Sequence, residues 1–251
     1  MSNYYSISKN VYQPGTLLPF RLSRSKIDLY INCHKCFWLD RRMGIGQPPG
    51  YPFSLNSAVD LLLKKEFDIH RAQAKAHPLM KKYKIDAVPL AHEKIDEWRD
   101  AMRRGITYHH PSTNFIITGG IDDIWVNKKG EYIIVDYKST AKAGEVSIDA
   151  PWQSGYKRQM EVYQWLFEKN GHKVSRTGYF VYCNGKTDNN AFDAKLEFDI
   201  SILSYIGNTQ WIEPTLTEIN ACLESNNPPL SNQDCDYCQY RKFIKESKIE
   251  S

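Results

Sequence analysis

NFIITGGIDDIWVN (residues 114–127) and EYIIVDYKST (131–140) are two runs rich in β-branched and aromatic residues, joined by Lys128, Lys129 and Gly130. Such runs with a short glycine-containing link predict a β-hairpin. Successive side chains of a strand alternate faces, so Asp136 and Lys138 point one way while Ile133, Val135 and Tyr137 point the other. Both faces are apolar here, and a buried carboxylate or ammonium is costly unless paired or bound to metal. The plainest structural reading is an Asp136–Lys138 ion pair. On the preceding strand Asp122 and Asp123 alternate faces, so one of them can join Asp136 and Lys138. Gly119 and Gly120 come just before, and glycine in a strand permits close approach of another backbone or a ligand. Carboxylates on neighbouring strands suit a hard cation: Mg2+ commonly takes one or two of them and keeps waters and substrate phosphate oxygens. Such an ion lowers the pKa of its water and neutralises charge developing on phosphate, and a nearby lysine can orient that water or bind the same phosphate.

Around the hairpin the period changes. SRSKIDLYINCHKCFWLDRRMG (23–44) opens on Ser23 and carries Ile27, Tyr30 and Ile31 at helical spacing, which predicts a short helix ending near a cysteine pair. A second helix begins at Asn56 or Ser57 and runs through VDLLLKKEFDIHRAQAK, with an apolar stripe of Val59, Leu62, Leu63 and Phe67. A third spans Trp152 to Asn170 and stops at Asn170-Gly171, a favourable left-handed end. RTGYFVYC (176–183) reads as a strand, AFDAKLEFDISI (191–202) as an extended run, and WIEPTLTEINACLES (211–225) as a helix. GQPPGYP (46–52) and NNPPLSNQD (226–234) are connectors. These elements predict an α/β fold, a mixed sheet flanked by helices.

The 251 residues are enough for one domain with a sizeable core, and 41% hydrophobic with 25% charged residues excludes disordered and fibrous classes. No apolar run reaches membrane-spanning length. The N-terminal stretch lacks a charged start with an apolar core and cleavage site, so a cytoplasmic, intracellular setting is expected, nucleoid-associated where DNA is the partner. Of the net +4, residues 1–50 hold +5, from seven Lys/Arg against two Asp/Glu. That balance suits a polyanion, although a solvated basic surface is an equally good account.

In order, G-G-I-D-D-I, then V-D-Y-K-S-T, then Q-M-E-V-Y resembles the RecB-like branch of the PD-(D/E)XK nuclease superfamily, which includes nucleases of CRISPR spacer acquisition and of helicase–nuclease proteins. The resemblance covers about 20–245. It implies a restriction-endonuclease-like core (about 50–225) in a single domain over 1–251, with cysteine-bearing flanks at about 20–45 and 226–245. It also implies a metal-dependent DNA nuclease acting in DNA repair, recombination or defence, with Mg2+ or Mn2+ at the active site. By this likeness Asp122, Asp136 and the carbonyl of Tyr137 bind metal, Lys138 completes the catalytic set, and Gln159 and Tyr163 supply a later motif. Gln159 and Tyr163 lie four apart on one helix face with Tyr156 adjacent. A core aromatic stripe accounts for the two tyrosines, whereas Gln159 is better explained by reaching the site. The family usually places a His or Glu on the helix before the hairpin. Asp60 takes that place here: it is in line with Leu63 and Phe67, so it should face the core side and share the metal. Favouring the first helical turn through the dipole is its plainer role, and Glu66 and His70 are the other candidates.

Six cysteines in a reducing compartment should be reduced or metal-bound. Cys33-His-Lys-Cys36 and Cys235-Asp-Tyr-Cys238 are C-x-x-C pairs near opposite ends, and four thiolates suit Zn2+ or an iron–sulfur cluster. In the RecB-like family, cysteines from both ends clamp a 4Fe-4S cluster, usually one from the start and three from the end. This chain has two and two, which leaves a 4Fe-4S cluster or Zn2+ open. His34 can substitute as a ligand but suits exposure; Cys183 and Cys222 read as buried small hydrophobes. DNA is the expected partner and a membrane is not; a helicase or defence complex is possible, and no helicase motif accompanies the nuclease region. Two other readings compete with the enzyme. One is a catalytically silent DNA- or protein-binding module of the same fold. The other is an unrelated α/β enzyme in which D-Y-K is a structural ion pair; convergence of the side chains separates it from the rest.

Overall fold

The computed structural model describes residues 10–48, 50 and 54–247. Residues 1–9, and Pro49, Tyr51 and Pro52 of the connector, lie outside the described residues. The described residues form two compact units, one from 10–48, 50, 109–117 and 210–247, the other from 54–108 and 118–209.

The second unit is built on the hairpin. Strands β5 (Asp123–Asn127) and β6 (Tyr132–Thr140) pair antiparallel, with Asp123 opposite Val135 and Trp125 opposite Ile133. Gly130 takes the left-handed conformation of the turn, at φ 71°. With β2 (Ala87–Pro89), β7 (Thr177–Gly185) and β8 (Phe198–Ile206) they form a mixed sheet of order β2-β5-β6-β7-β8. Only β6 and β7 are parallel, and the connection between them carries the long helix α6 (Ser154–Lys169), as a parallel crossover requires. The extended run expected from 191 starts as a strand only at Phe198.

Helix α3 (Ser54–Ala72), followed by the short α4 (Pro78–Lys82), lays Leu63 and Phe67 against Ile133, Val135 and Tyr137 on the odd-numbered face of β6, with Trp125 of β5 and Val181 of β7 beside them. Leu62, expected in that stripe, is 62% exposed. On the even-numbered side Met160 of α6 lies over Gly178, where an added Cβ would come 3.0 Å from Met160 Cγ.

The run 114–127 is not one strand. Strand β4 (Phe115–Gly119) joins a three-stranded sheet of order β1-β4-β3, with β1 (Phe20–Ser23) and β3 (Ile106–His110), whereas β5 belongs to the five-stranded sheet. The two glycines at the break have no room for a side chain. A Cβ on Gly119 would lie 2.6 Å from the Tyr163 ring, and one on Gly120 would collide with Ala101.

In the first unit, the short helix expected to end near the cysteine pair is α1 (Arg24–Asn32); a second helix that was not expected, α2 (His34–Arg42), starts just after Cys33, whose backbone is extended. They pack with α7 (Ile212–Glu224), burying Ile27, Phe37, Leu216 and Ile219 completely. The last helix among the described residues is α8 (Asp236–Glu246). None of the described helices is long and apolar enough to cross a membrane.

One buried polar cluster ties the sheet to its helices. Asp123, 0% exposed, accepts hydrogen bonds from Arg99 Nη2 (3.0 Å), Tyr137 Oη (2.8 Å), Trp125 Nε1 (3.3 Å) and Arg71 Nη2. Arg71 is on α3 and Arg99 on α5 (Ile95–Arg99), and both also bind Asp68, so two carboxylates balance two guanidiniums. Asp123→Ala would strand both arginines in the interior. Breaking a buried pair from one side destabilises by about 3–5 kcal/mol. Urea denaturation should register a loss of that size for Asp123→Ala, and a smaller one for Asp68→Ala, whose side chain is 43% exposed. Equal stability of Asp123→Ala and the parent would show that the cluster is not an anchor.

Candidate active site

Strand alternation and register set the site geometry in the second unit. Asp123 shares a face with Val135 and Tyr137, so its neighbour Asp122 turns to the face of Asp136. Asp122 sits at the entry to β5, where its Oδ2 accepts the Tyr137 N–H at 2.9 Å. Asp136 is 0% exposed and neither carboxylate oxygen has a hydrogen-bond partner, although the Lys138 ammonium forms an ion pair with Oδ2. Burial, opposed by Lys138 and reinforced by Asp122, lifts the Asp136 carboxyl from 3.8 to about 7. Burial would lower Lys138, but Asp136 and Asp122 outweigh it and hold the ammonium above its ordinary value.

A cleft over this pair is lined by Asp60, Leu63, Asp122, Tyr137, Lys138, Tyr156 and Gln159 among others. Helix α6 turns two of these onto Lys138: its Nζ lies 4.5 Å from the Tyr156 ring centroid and 3.5 Å from Gln159 Oε1. Gln159 Nε2 donates to Tyr163 Oη at 3.2 Å. Tyr163 itself is buried behind Gln159, its ring against Gly119, and is not among the cleft residues. It therefore reaches the site only through Gln159.

Asp60 lies on the cleft with its side chain 35% exposed, at the rim rather than in the core. Its carboxyl is raised by burial, with Lys64 opposing and Asp122 adding to the rise. Glu66 pairs with His77 at 2.8 Å and His70 lies edge-on to the His77 ring, so neither faces the cleft. Sequence reasoning passed over Lys64. Its Nζ stands 2.8 Å from Asp60 Oδ2 and 3.5 Å from Asp122 Oδ1. The signal was present, since Asp60 and Lys64 are an i, i+4 pair on one helix face.

Asp136 makes the residues a good fit for a divalent cation. A buried carboxylate without hydrogen bonds, beside a second carboxylate, is strongly disfavoured as an anion unless positive charge joins it. Hard oxygen donors of this kind select Mg2+ or Mn2+.

In the first unit Cys33, Cys36, Cys235 and Cys238 converge, their sulfurs within 4.8 Å of one another. Cys33 Sγ is 3.6 Å from Cys238 Sγ, and Cys36 Sγ lies 3.6 and 3.8 Å from Cys235 and Cys238. Each pair spans the first turn of a helix: Cys33 and Cys235 are the N-caps of α2 and α8. Backbone N–H groups and the helix dipole there favour thiolates. Burial pushes Cys36 up to about 12, whereas Cys238, also raised by burial, is brought to about 7 by hydrogen bonds from Arg241 and the neighbouring thiols. The four cannot all ionise without a cation among them. Tetrahedral zinc thiolates, with bonds of about 2.3 Å, stand roughly 3.8 Å apart, which suits these sulfurs. A 4Fe-4S cluster is bulkier and would need them to spread. His34 stacks on Tyr30 at 4.1 Å and stays exposed; Cys183 is buried and Cys222 half-buried, both away from the cluster.

The family model of the PD-(D/E)XK nuclease superfamily matches residues 21–243. The chain belongs to this superfamily. Members of the PD-(D/E)XK superfamily are usually nucleases and usually use divalent metals, and the mixed sheet with flanking helices is its restriction-endonuclease-like fold. No curated protein matches the chain. Among solved structures it is similar to one titled "Crystal structure of SSO0001", at 20% identity and a TM-score of 0.30, over 54% of this chain. The match spans about half of that protein, 53% of its length.

Two outcomes follow from this geometry. A carboxyl whose folded value lies above its unfolded one stabilises the fold while protonated; the contribution is full below about 4 and lost as pH climbs through the folded value. For Asp136 the window runs from 3.8 to about 7. Protein stripped of divalent ions by chelation should therefore lose stability across that window relative to Asp136→Asn, and Mg2+ should restore it; parallel pH profiles of the two proteins would contradict this. Replacing Cys33, Cys36, Cys235 or Cys238 by Ser should lower the melting temperature and remove the bound metal, measured by elemental analysis of anaerobically purified protein. Full metal content in any single variant would mean that the four do not share a centre.

Proposed function

We propose that this chain is a metal-dependent deoxyribonuclease of the RecB-like branch, hydrolysing phosphodiester bonds of DNA in repair, recombination or defence. The observation that carries the proposal is Asp136: fully buried, without hydrogen bonds, and grouped with Asp122 and Lys138 at a cleft. A structural ion pair accounts for one oxygen of Asp136; it leaves the other oxygen of that buried carboxylate, and the open cleft beside it, unexplained. Intact Asp122, Asp136 and Lys138 argue against a silent binding module.

In the proposed reaction Asp122 and Asp136 would hold Mg2+ or Mn2+, with the Tyr137 carbonyl as a further ligand. Bound there, the ion would supply an acidified water and neutralise charge building on the phosphate. The protein does the rest by positioning. The Tyr137 N–H fixes the Asp122 carboxylate, and the Tyr156 ring and Gln159 hold the Lys138 ammonium at the cleft floor. From there Lys138 orients the attacking water or binds the phosphate oxygen opposite it. Tyr163 keeps Gln159 in place. The cysteine centre takes Zn2+ or a 4Fe-4S cluster, the sulfur spacing favouring the single ion, and ties together the two ends of the chain. We take residues 1–251 as a single nuclease domain functionally, in a cytoplasmic setting, with DNA as the partner, no membrane role, and a helicase or defence complex as the class of protein partner to look for.

Purified protein with Mg2+ or Mn2+ should cleave among matched linear, circular, single-stranded and double-stranded DNA, and chelation should abolish cleavage. Asp122→Ala, Asp136→Ala and Lys138→Ala should each lose activity by about 10²–10⁴-fold, the usual contribution of a positioned proton-transfer group, with melting curves that remain cooperative. Retained cleavage in both Asp136→Ala and Lys138→Ala would end this assignment.

A further inference from the structure

Lys64 does not itself line the cleft but stands behind it against two carboxylates that do, Asp60 and Asp122, and the nuclease motifs do not use it. One turn beyond Asp60 on α3, it is only 19% exposed and bridges Asp60 Oδ2 (2.8 Å) and Asp122 Oδ1 (3.5 Å). The two Asp122 oxygens are thus divided: Oδ2 faces the Tyr137 N–H and Oδ1 faces Lys64. A second divalent ion between Asp60 and Asp122 would need the position that the ammonium already holds.

The charges of the cleft lead to the same place. Asp60, Asp122 and Asp136 supply three negative charges, and Lys64 and Lys138 two positive ones. One divalent ion and one phosphodiester bring that set to neutrality. A second divalent ion would leave two uncompensated positive charges in a partly buried site, where charge is poorly screened.

We propose that the Lys64 ammonium takes the place of a second metal ion, so that the site binds a single divalent cation and Lys64 provides the other positive charge facing the phosphate. This rests on the nuclease reading and specifies its metal stoichiometry. Asp60, expected from its helix position to share the ion, acts in this arrangement through Lys64, holding the ammonium over Asp122.

The test is titration of the purified full-length chain, cysteine centre as isolated, with MnCl2 alone, reading free Mn2+ by electron paramagnetic resonance and heat by calorimetry. Mn2+ is taken by oxygen donors in preference to thiolates, so the cysteines do not enter the count. The parent should bind one Mn2+ per chain, Lys64→Arg one, and Lys64→Met two, the new ion occupying the space between Asp60 and Asp122. Circular dichroism checks that each variant is folded; if Lys64→Met is not, Lys64→Gln serves in its place. Two ions in the parent, or one in the neutral variants, would overturn the proposal while leaving the nuclease reading intact. No Mn2+ bound by the parent, with Asp136→Asn indistinguishable from it, would overturn both.

Discussion

Asp122 and Asp123 are neighbours on an extended chain, so one carboxylate must go to each face of the five-stranded sheet, and the two environments are opposite in kind. Asp123 is sealed among Arg71, Arg99, Trp125 and Tyr137, with every strong donor around it engaged. Asp122 has one backbone partner in Tyr137 and otherwise faces lysine and the cleft. The closed cluster makes the open one possible. By gripping Arg71 of α3 and Arg99 of α5, Asp123 fixes the distance from α3 to the sheet, and therefore where Asp60 and Lys64 stand relative to Asp122. Such a buried ionic cluster contributes little net stability against an apolar alternative, yet it is expensive to break from one side, which makes it a device for holding one arrangement.

The cleft shows the reverse economy. Asp136 lies beneath it, stripped of water and of hydrogen bonds, and its raised carboxyl reflects burial that Lys138 only partly offsets. Lys138 is in turn confined by the Tyr156 ring and Gln159, and Gln159 by the Tyr163 hydroxyl, whose ring occupies the space left by Gly119. Each link is a modest interaction. Together they hold an ammonium beside two carboxylates in one orientation, the preorganisation that the proposed phosphodiester chemistry would use.

The cysteine centre uses a different principle. Both C-x-x-C pairs begin as helix N-caps, so the first turn of each helix sets the spacing of two sulfurs, and in α2 the Cys36 N–H donates to Cys33 Sγ. Arg241, 3.4 Å from the sulfurs of Cys36 and Cys238, adds a second source of positive charge. Thiols from residues about two hundred apart in the chain thereby meet with their charge partly compensated.

The sequence by itself determined whatever depends on local periodicity. Alternation along 131–140 put Asp136 and Lys138 on one face, the turn residues placed the hairpin, and the helical stripe identified α3 and α6. The motif order named the superfamily, and the two C-x-x-C pairs foretold the convergence of four cysteines. Only the tertiary structure could decide contacts made across sequence. The break at Gly120 depends on Ala101, nineteen residues earlier, and the burial of Asp123 depends on arginines from two helices. The second helix, α2, depends on Cys33 turning extended to cap it beside Cys238. Lys64 shows the boundary most clearly: its spacing from Asp60 was legible, but its approach to Asp122 on another element is a consequence of packing, which no local pattern encodes.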